Sequence, residues 1–243
     1  MAFSHVQGKL GTATSGHATV ASVLTSAPTT GNLVCVVITA QGSITLNSVK
    51  DNASPNNSYT ITPNSPSSAN DGTAGSCWLA YLLSAPSNAN PTITATFSAN
   101  SVGTLDIWAE EFSVTGGSQT FDKDVIGSGT SGTTINTPSI TPTNANSLLF
   151  SGASVENQIS APAAGATLGV WTGSAGGISA SGNQAEYDLS ASGATAVQYT
   201  QSSGHWDAMV MSFFISAGAS VTFEDDSFNV VLVPPIEPTI SVW

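Results

Sequence analysis

The residues best suited to chemistry in this chain are carboxylates. Asp122 and Asp124 stand at the same place in one half of the sequence as Glu224, Asp225 and Asp226 do in the other. Clustered carboxylate oxygens suit Ca2+, which takes six to eight oxygen ligands. The EF-hand spacing is absent, however, and an acidic loop that is merely solvated reads the same way. Glu110 and Glu111 form a second acidic pair. Neighbours on a strand point to opposite faces, so the two cannot serve one site as acid and base. One of them is expected to face inward and to need a partner, such as a loop backbone N–H. Asp106 falls on the same face as Glu110.

Other chemistry is less well supported. His5, His17 and His205 lie far apart and show no metal-ligand spacing. No Gly-x-Ser-x-Gly elbow accompanies the many serines. The chain is therefore expected to act without catalysis, and no resident cofactor is expected beyond the Ca2+ option. Trp78, Trp108 and Trp206 sit in or beside strand candidates and are expected to pack, whereas Trp171 lies in a Gly-rich stretch and is the candidate platform for stacking a sugar. Cys35 and Cys77 each lie in an apolar run. They read either as two buried thiols or as one bridge between strands, the latter implying an oxidising setting.

The elements that must position these groups are strands. Val34 to Thr39, Ser58 to Thr62, Trp78 to Leu83, Thr92 to Phe97 and Leu105 to Phe112 are short apolar or alternating runs, as are Leu148 to Val155, Ala194 to Thr200 and Ala208 to Ile215. Gly, Pro, Asn and Ser separate them. Thr92 to Phe97 alternates strictly, which predicts one buried and one wet face. No stretch shows a helical period with capping signals.

The chain is also written twice. Gly31-Asn32-Leu33-Val34 matches Asn146-Ser147-Leu148-Leu149, and Ala80-Tyr81-Leu82 matches Glu186-Tyr187-Asp188. Phe112-Ser113-Val114-Thr115 matches Phe214-Ile215-Ser216-Ala217, and Thr120-Phe121-Asp122 matches Thr222-Phe223-Glu224. Two halves, about residues 14–126 and 130–226, are expected to share one pair of sheets around a single interior. That is an all-β, jelly-roll-like sandwich, followed by a C-terminal arm over residues 227–243.

Bulk composition narrows the function. The chain has 243 residues, of which 40 % are hydrophobic and only 7 % charged, against about 25 % charged in an ordinary soluble domain. Solvation falls to Ser, Thr, Asn, Gln and Gly, a surface that suits a protein covered by neighbours or placed outside the cytoplasm. The net charge is −12, arginine is absent, and Lys9, Lys50 and Lys123 are the only lysines. Nucleic acid needs clustered cations, so it is excluded as a partner, and anionic membrane surfaces are disfavoured for the same reason. The N-terminal segment Met1 to Gly8 lacks the apolar stretch of a secretory signal, and no run of about 18 apolar residues is present.

A family likeness emerges from several segments together. Gly31-Asn32-Leu33-Val34-Cys35-Val36-Val37, Val49-Lys50-Asp51-Asn52 with Asn57-Ser58-Tyr59-Thr60, Thr92 to Phe97, and Ala109-Glu110-Glu111-Phe112-Ser113-Val114 follow one another in a familiar order. Over about residues 14–214 they resemble a loosely defined β-sandwich domain of phage virion proteins and exported bacterial surface proteins. The chain departs at Val114, where that pattern often has glycine. The resemblance implies no catalytic residue. It implies scaffold, decoration or adhesion, so the expected role is a virion structural protein, a capsid decoration or tail-associated sandwich acting by protein–protein contacts. The alternative is an extracellular or cell-surface carbohydrate-binding or adhesive module. Expected partners are a major capsid or tail protein and further copies of the chain. The arm is the candidate contact segment: Phe228, Val230 and Leu232 lie in a strand-like run, Pro234, Pro235 and Ile236 in an extended one, and Trp243 ends it on an indole. It either reaches a neighbouring subunit or folds back over its own sheet edge.

Overall fold

The computed structural model describes residues 1–66, 75–161, 172–173, 179 and 182–217. It is all-β. Strands of the first half are β1 (Ala2–Ala13), β2 (Thr19–Val23), β3 (Leu33–Ala40), β4 (Leu46–Asp51), β5 (Thr60–Ile61), β6 (Ser76–Leu82), β7 (Thr92–Phe97) and β8 (Leu105–Thr115). Those of the second are β9 (Ser118–Gly129), β10 (Thr134–Asn136), β11 (Ser147–Val155), β12 (Ile159–Ala161), β13 (Thr172–Gly173), β14 (Gln184–Ala191), β15 (Gln198–Gln201) and β16 (Trp206–Ser216).

The sheets repeat the duplication. The first half forms a five-stranded sheet β1-β8-β3-β6-β5 and a three-stranded sheet β2-β7-β4; the second forms β9-β16-β11-β14-β13 and β10-β15-β12. Each order becomes the other when strand numbers move by eight. Within the first half the pairing is concentric: β1 with β8, β2 with β7 and β3 with β6, while Lys50 of β4 bridges Ser58 just ahead of β5. In the second half β9, β10 and β11 pair with β16, β15 and β14 in the same way.

Each half closes its own sandwich, and the apolar interior divides into three clusters. One core lies between β2-β7-β4 and the first five-stranded sheet, and includes Val34, Val36, Ile38, Trp78, Ile93 and Phe97. A second lies between β10-β15-β12 and the other five-stranded sheet, with Leu149, Ala153, Tyr199 and Val210. A third joins the two five-stranded sheets back to back, bringing Leu33, Cys35, Val37, Trp108 and Phe112 against Phe150, Tyr187, Met209, Met211 and Phe213. The cause is visible in β3. Side chains alternate along a strand, yet every residue of Leu33–Ala40 is buried: Val34, Val36 and Ile38 enter the first core while Leu33, Cys35 and Val37 enter the third. Such a strand needs cover on both faces. By contrast β7 alternates half-buried and buried residues, as Thr92 to Phe97 predicts, because its sheet is an outer layer.

The two sets of eight strands meet at Gly116–Gly117, between β8 and β9. The strand candidates in the sequence omit β2, β4, β10 and β14, and also β1 and β9, at 12 residues each the longest strands among the described residues. Both lie at a sheet edge and lack an apolar run, and each carries a bulge, after His5 and after Phe121 respectively, that breaks the period of two. The register also moves one match. Leu33 pairs with Phe112 and Leu148 pairs with Phe213, so Phe112 corresponds to Phe213, not Phe214. A one-residue slip would turn the strand over, and indeed Phe213 is fully buried while Phe214 is only half-buried. The other matches agree with the pairing: Tyr81 stands opposite Cys35 as Tyr187 stands opposite Phe150, and Gly31 and Asn146, at corresponding turns, both take positive φ.

The third core fixes a glycine. Gly152 corresponds to Val37, and a Cβ at 152 would run into the Val37 methyls. Gly152→Ala is expected to lower stability by about 1–3 kcal/mol through overpacking. Adding Val37→Ala is expected to recover part of that loss, a coupling that a double-mutant cycle of denaturation midpoints measures.

Candidate functional site

Strand β8 carries three buried carboxylates in an otherwise apolar stretch: Asp106, Glu110 and Glu111 are all fully buried. As the alternation predicts, the two glutamates face opposite ways. Both are nonetheless inside, because β8 lies in an inner layer. Glu111 faces the first sandwich's own side and accepts from Gln7 Nε2 at 2.6 Å, Thr29 N at 2.8 Å and Asn32 Nδ2 at 2.6 Å. Gln7 in turn donates to Ser26 O and accepts from Ser26 N, both at 3.1 Å. One carboxylate thus ties β1 to the loop between β2 and β3. The expected loop-backbone partner is Thr29 N.

Asp106 and Glu110 face the third core, on one side as expected. Asp106 accepts from Thr12 Oγ1 at 2.8 Å and from Asn183 Nδ2 at 3.1 Å. Asn183 belongs to the second sandwich. Its amide also donates to Thr39 Oγ1 at 2.9 Å, and its carbonyl accepts from Val155 N at 2.9 Å, so it pins the polar end of the seam. Nothing in the sequence around Asn183 marks it for this role.

Glu110 meets His5, with Nε2 and Oε2 2.6 Å apart. The His5 ring lies flat on Tyr187 of the other sandwich, with centroids 5.0 Å apart and planes at 13°. At the corresponding place in the second half, Phe121 lies on Tyr81 at 4.9 Å and 9°. Phe112 then meets Tyr187 edge-on at 5.2 Å, as Phe213 meets Tyr81 at 5.3 Å. Equivalent residues meet reciprocally, which is the property of an isologous contact. The contact departs from this symmetry at His5 and Glu110, whose counterparts by register are Phe121 and Met211.

Cys35 and Cys77 are free thiols in the third core. Cys35 pairs with Tyr81 and Cys77 with Thr39, so the two stand four residues apart along the ladder, beyond disulfide reach. Burial pushes both thiols well above their ordinary pKa, helped by Glu110 at Cys35 and by Asp207 at Cys77. They pack as small apolar groups.

The candidate Ca2+ ligands divide. Glu224, Asp225 and Asp226 lie outside the described residues. Asp122 and Asp124 are each held by protein donors. Asp122 accepts from Thr143 N at 2.8 Å, Thr143 Oγ1 at 2.6 Å and Ser212 Oγ at 3.0 Å. Asp124 accepts from Asn64 N and Asn64 Nδ2, both at 3.0 Å, across the two sandwiches. Among the described residues no group of three or more His, Cys, Asp or Glu is placed to hold a metal ion. Trp78, Trp108 and Trp206 are buried, as packing residues should be. Trp171 and the arm residues Phe228, Val230, Leu232, Pro234, Pro235, Ile236 and Trp243 lie outside the described residues. The chain enters its last segment beside a cavity of about 470 Å3 lined by Met1, Asn144, Asn146, Phe214, Ile215 and Ala217.

Asp51 braces a loop cluster far from the seam. It accepts from Ala53 N at 3.1 Å, Asn57 N at 3.0 Å, Asn57 Nδ2 at 2.9 Å and Asn90 N at 3.0 Å. No family model, no curated protein and no solved structure matches the chain.

These braces set an acid limit. Burial acts to raise the pKa values of Asp51 and Asp122, but the donors of Asn57, Asn90 and Ala53 on one, and of Thr143 and Ser212 with Lys123 on the other, outweigh it and hold both below the ordinary carboxylate value. A depressed folded-state pKa gives stability that is present above about pH 4, the unfolded value, and lost as pH falls through the folded one. Denaturation midpoints are therefore expected to drop below about pH 4. Asp51→Asn is expected to be less stable at neutral pH and to lose less on acidification.

Proposed function

We propose that the chain is a virion structural protein, a capsid decoration or tail-associated protein of the phage type, acting through contacts with a major capsid or tail protein and with copies of itself. The concentric strand pairing of each half is read as jelly-roll winding. One observation carries the proposal: two sandwiches fused back to back make a rigid four-layer block whose interior polar groups brace loops and strands. Its outer sheets present largely uncharged residues, such as Thr19 and Val23 on β2 and Thr134 and Asn136 on β10, all exposed. A block of this kind works by the surfaces it presents. The sparse charge and the resemblance to phage virion sandwiches point the same way, and a virion surface is the proposed location.

The arm is the proposed contact segment. Phe228, Val230, Leu232, Ile236 and Trp243 are the apolar anchors proposed for it, and Pro234 and Pro235 carry no backbone N–H for a regular ladder. Deleting residues 227–243 is expected to leave the melting transition of the sandwiches in place and to abolish co-sedimentation with particles from a producing culture. Equal incorporation of the truncated chain would end the role of the arm. Failure of the intact chain to co-sediment would end the virion reading itself.

A further inference from the structure

The cavity of about 470 Å3 lies where β1, β16 and the loop before β11 meet, between Met1, Ala145, Asn146, Phe214, Ile215 and Ala217. Part of its lining is apolar and poorly covered: Met1 is 63 % exposed and Phe214 is only half-buried. Ala217 is the last described residue, so the sequence that follows starts at the cavity itself. That sequence is Gly218-Ala219-Ser220-Val221-Thr222-Phe223-Glu224-Asp225-Asp226. Three small residues lead to Val221 and Phe223, two apolar side chains that an extended backbone puts on one face. Four to six residues extend at most about 14–21 Å, so both side chains can reach back into a space bordered by Ala217. Three carboxylates come next, and unpaired charges stay in water.

The chain between the sandwiches shows what a segment of this pattern does. Phe112 and Phe213 hold corresponding places, so Thr115 at the end of β8 corresponds to Ser216 at the end of β16. Past Thr115, two glycines lead into Ser118-Gln119-Thr120-Phe121-Asp122; past Ser216, three residues lead into Ser220-Val221-Thr222-Phe223-Glu224. The first of these segments packs at once. Gln119 Nε2 donates to Gly31 O at 3.0 Å, and Phe121 stacks on Tyr81. Gly31 corresponds to Asn146, which lines the cavity. Strand β9 then runs along the edge of β16, whereas the corresponding edge of β8 is already held by β1. The second segment therefore finds its place in the sheet taken, and the cavity is the apolar surface beside it.

We propose that this cavity receives the root of the C-terminal segment of the same molecule, with Val221 and Phe223 as the side chains that enter it and the chain returning to water from Glu224 onward. The arm thus projects from a fixed point on the second sandwich. This concerns how the arm is rooted and does not depend on what its far end meets.

The test compares the melting of the purified full chain with that of a chain ending at Asp226, a chain ending at Ala217, and a full chain carrying Val221→Ser and Phe223→Ser. The chain ending at Asp226 is expected to melt with the full chain. The other two are expected to melt about 3–8 °C lower, the shift that burial of an aromatic side chain gives in a protein of this size. Ala145→Arg places a long side chain at the cavity. It is expected to lower the melting of the full chain by a similar amount and to leave the chain ending at Ala217 unchanged. Equal melting of the chains ending at Ala217 and Asp226 overturns the proposal, as does an Ala145→Arg drop of equal size in the full and the short chain. Light scattering that finds dimers of the full chain but not of the chain ending at Ala217 also overturns it, because the root then sits on a second copy. Should the chain ending at Ala217 not fold, Ala145→Arg combined with the double serine variant decides: no drop beyond either alone supports the proposal, and additive drops overturn it. All of these chains are measured without particles, so failure here leaves the co-sedimentation outcome untouched.

Discussion

Two sheets that are apolar on both faces cannot each be satisfied by one partner sheet, and the rest of the molecule follows from that constraint. Strands β3 and β11 are buried along their whole length. Each inner sheet is covered on one side by its own three-stranded sheet. The other side can be covered only by something equally apolar, and within this chain that is the other inner sheet. The duplicated chain thus does internally what an isologous homodimer does between subunits. Fusing the halves removes the translational and rotational penalty that association would otherwise carry.

The seam is aromatic in character, and its energetics follow from that. Phe112, Phe150 and Phe213 are fully buried, each worth about 2–3 kcal/mol by transfer alone. Edge-on and stacked contacts add roughly 0.5–1.5 kcal/mol apiece. Close approach on the axis requires one small residue where two large ones would collide, and Gly152 against Val37 meets that need. Polar groups that enter the seam include the His5–Glu110 pair. Asn183 and Asn64 each reach across from one sandwich to a carboxylate of the other.

The buried carboxylates share one task. Glu111, Asp51 and Asp122 each collect several donors, loop backbone N–H groups among them. In a chain with so few charges, charged acceptors used this way give the loops definite positions.

Local sequence sufficed for the all-β class and for several inner strands. Those features rest on alternation, on apolar runs and on turn residues such as Gly31 and Asn146, all of which act over a few residues. It sufficed also for the opposed faces of Glu110 and Glu111, because the pleat alone decides that. What local pattern could not reveal was where the second face of each inner strand finds its cover. An apolar run reads the same whether it sits in one shared interior or between two, so the number of cores was settled by long-range pairing. The edge strands β1 and β9 were hidden for a related reason: their side chains are half-covered by neighbours distant in sequence, and a bulge shifts their phase. The meeting of His5 with Glu110, and of Asn183 with Asp106, spans most of a half or more of the chain and carries no local signature. Such contacts exist only once the sheets have stacked.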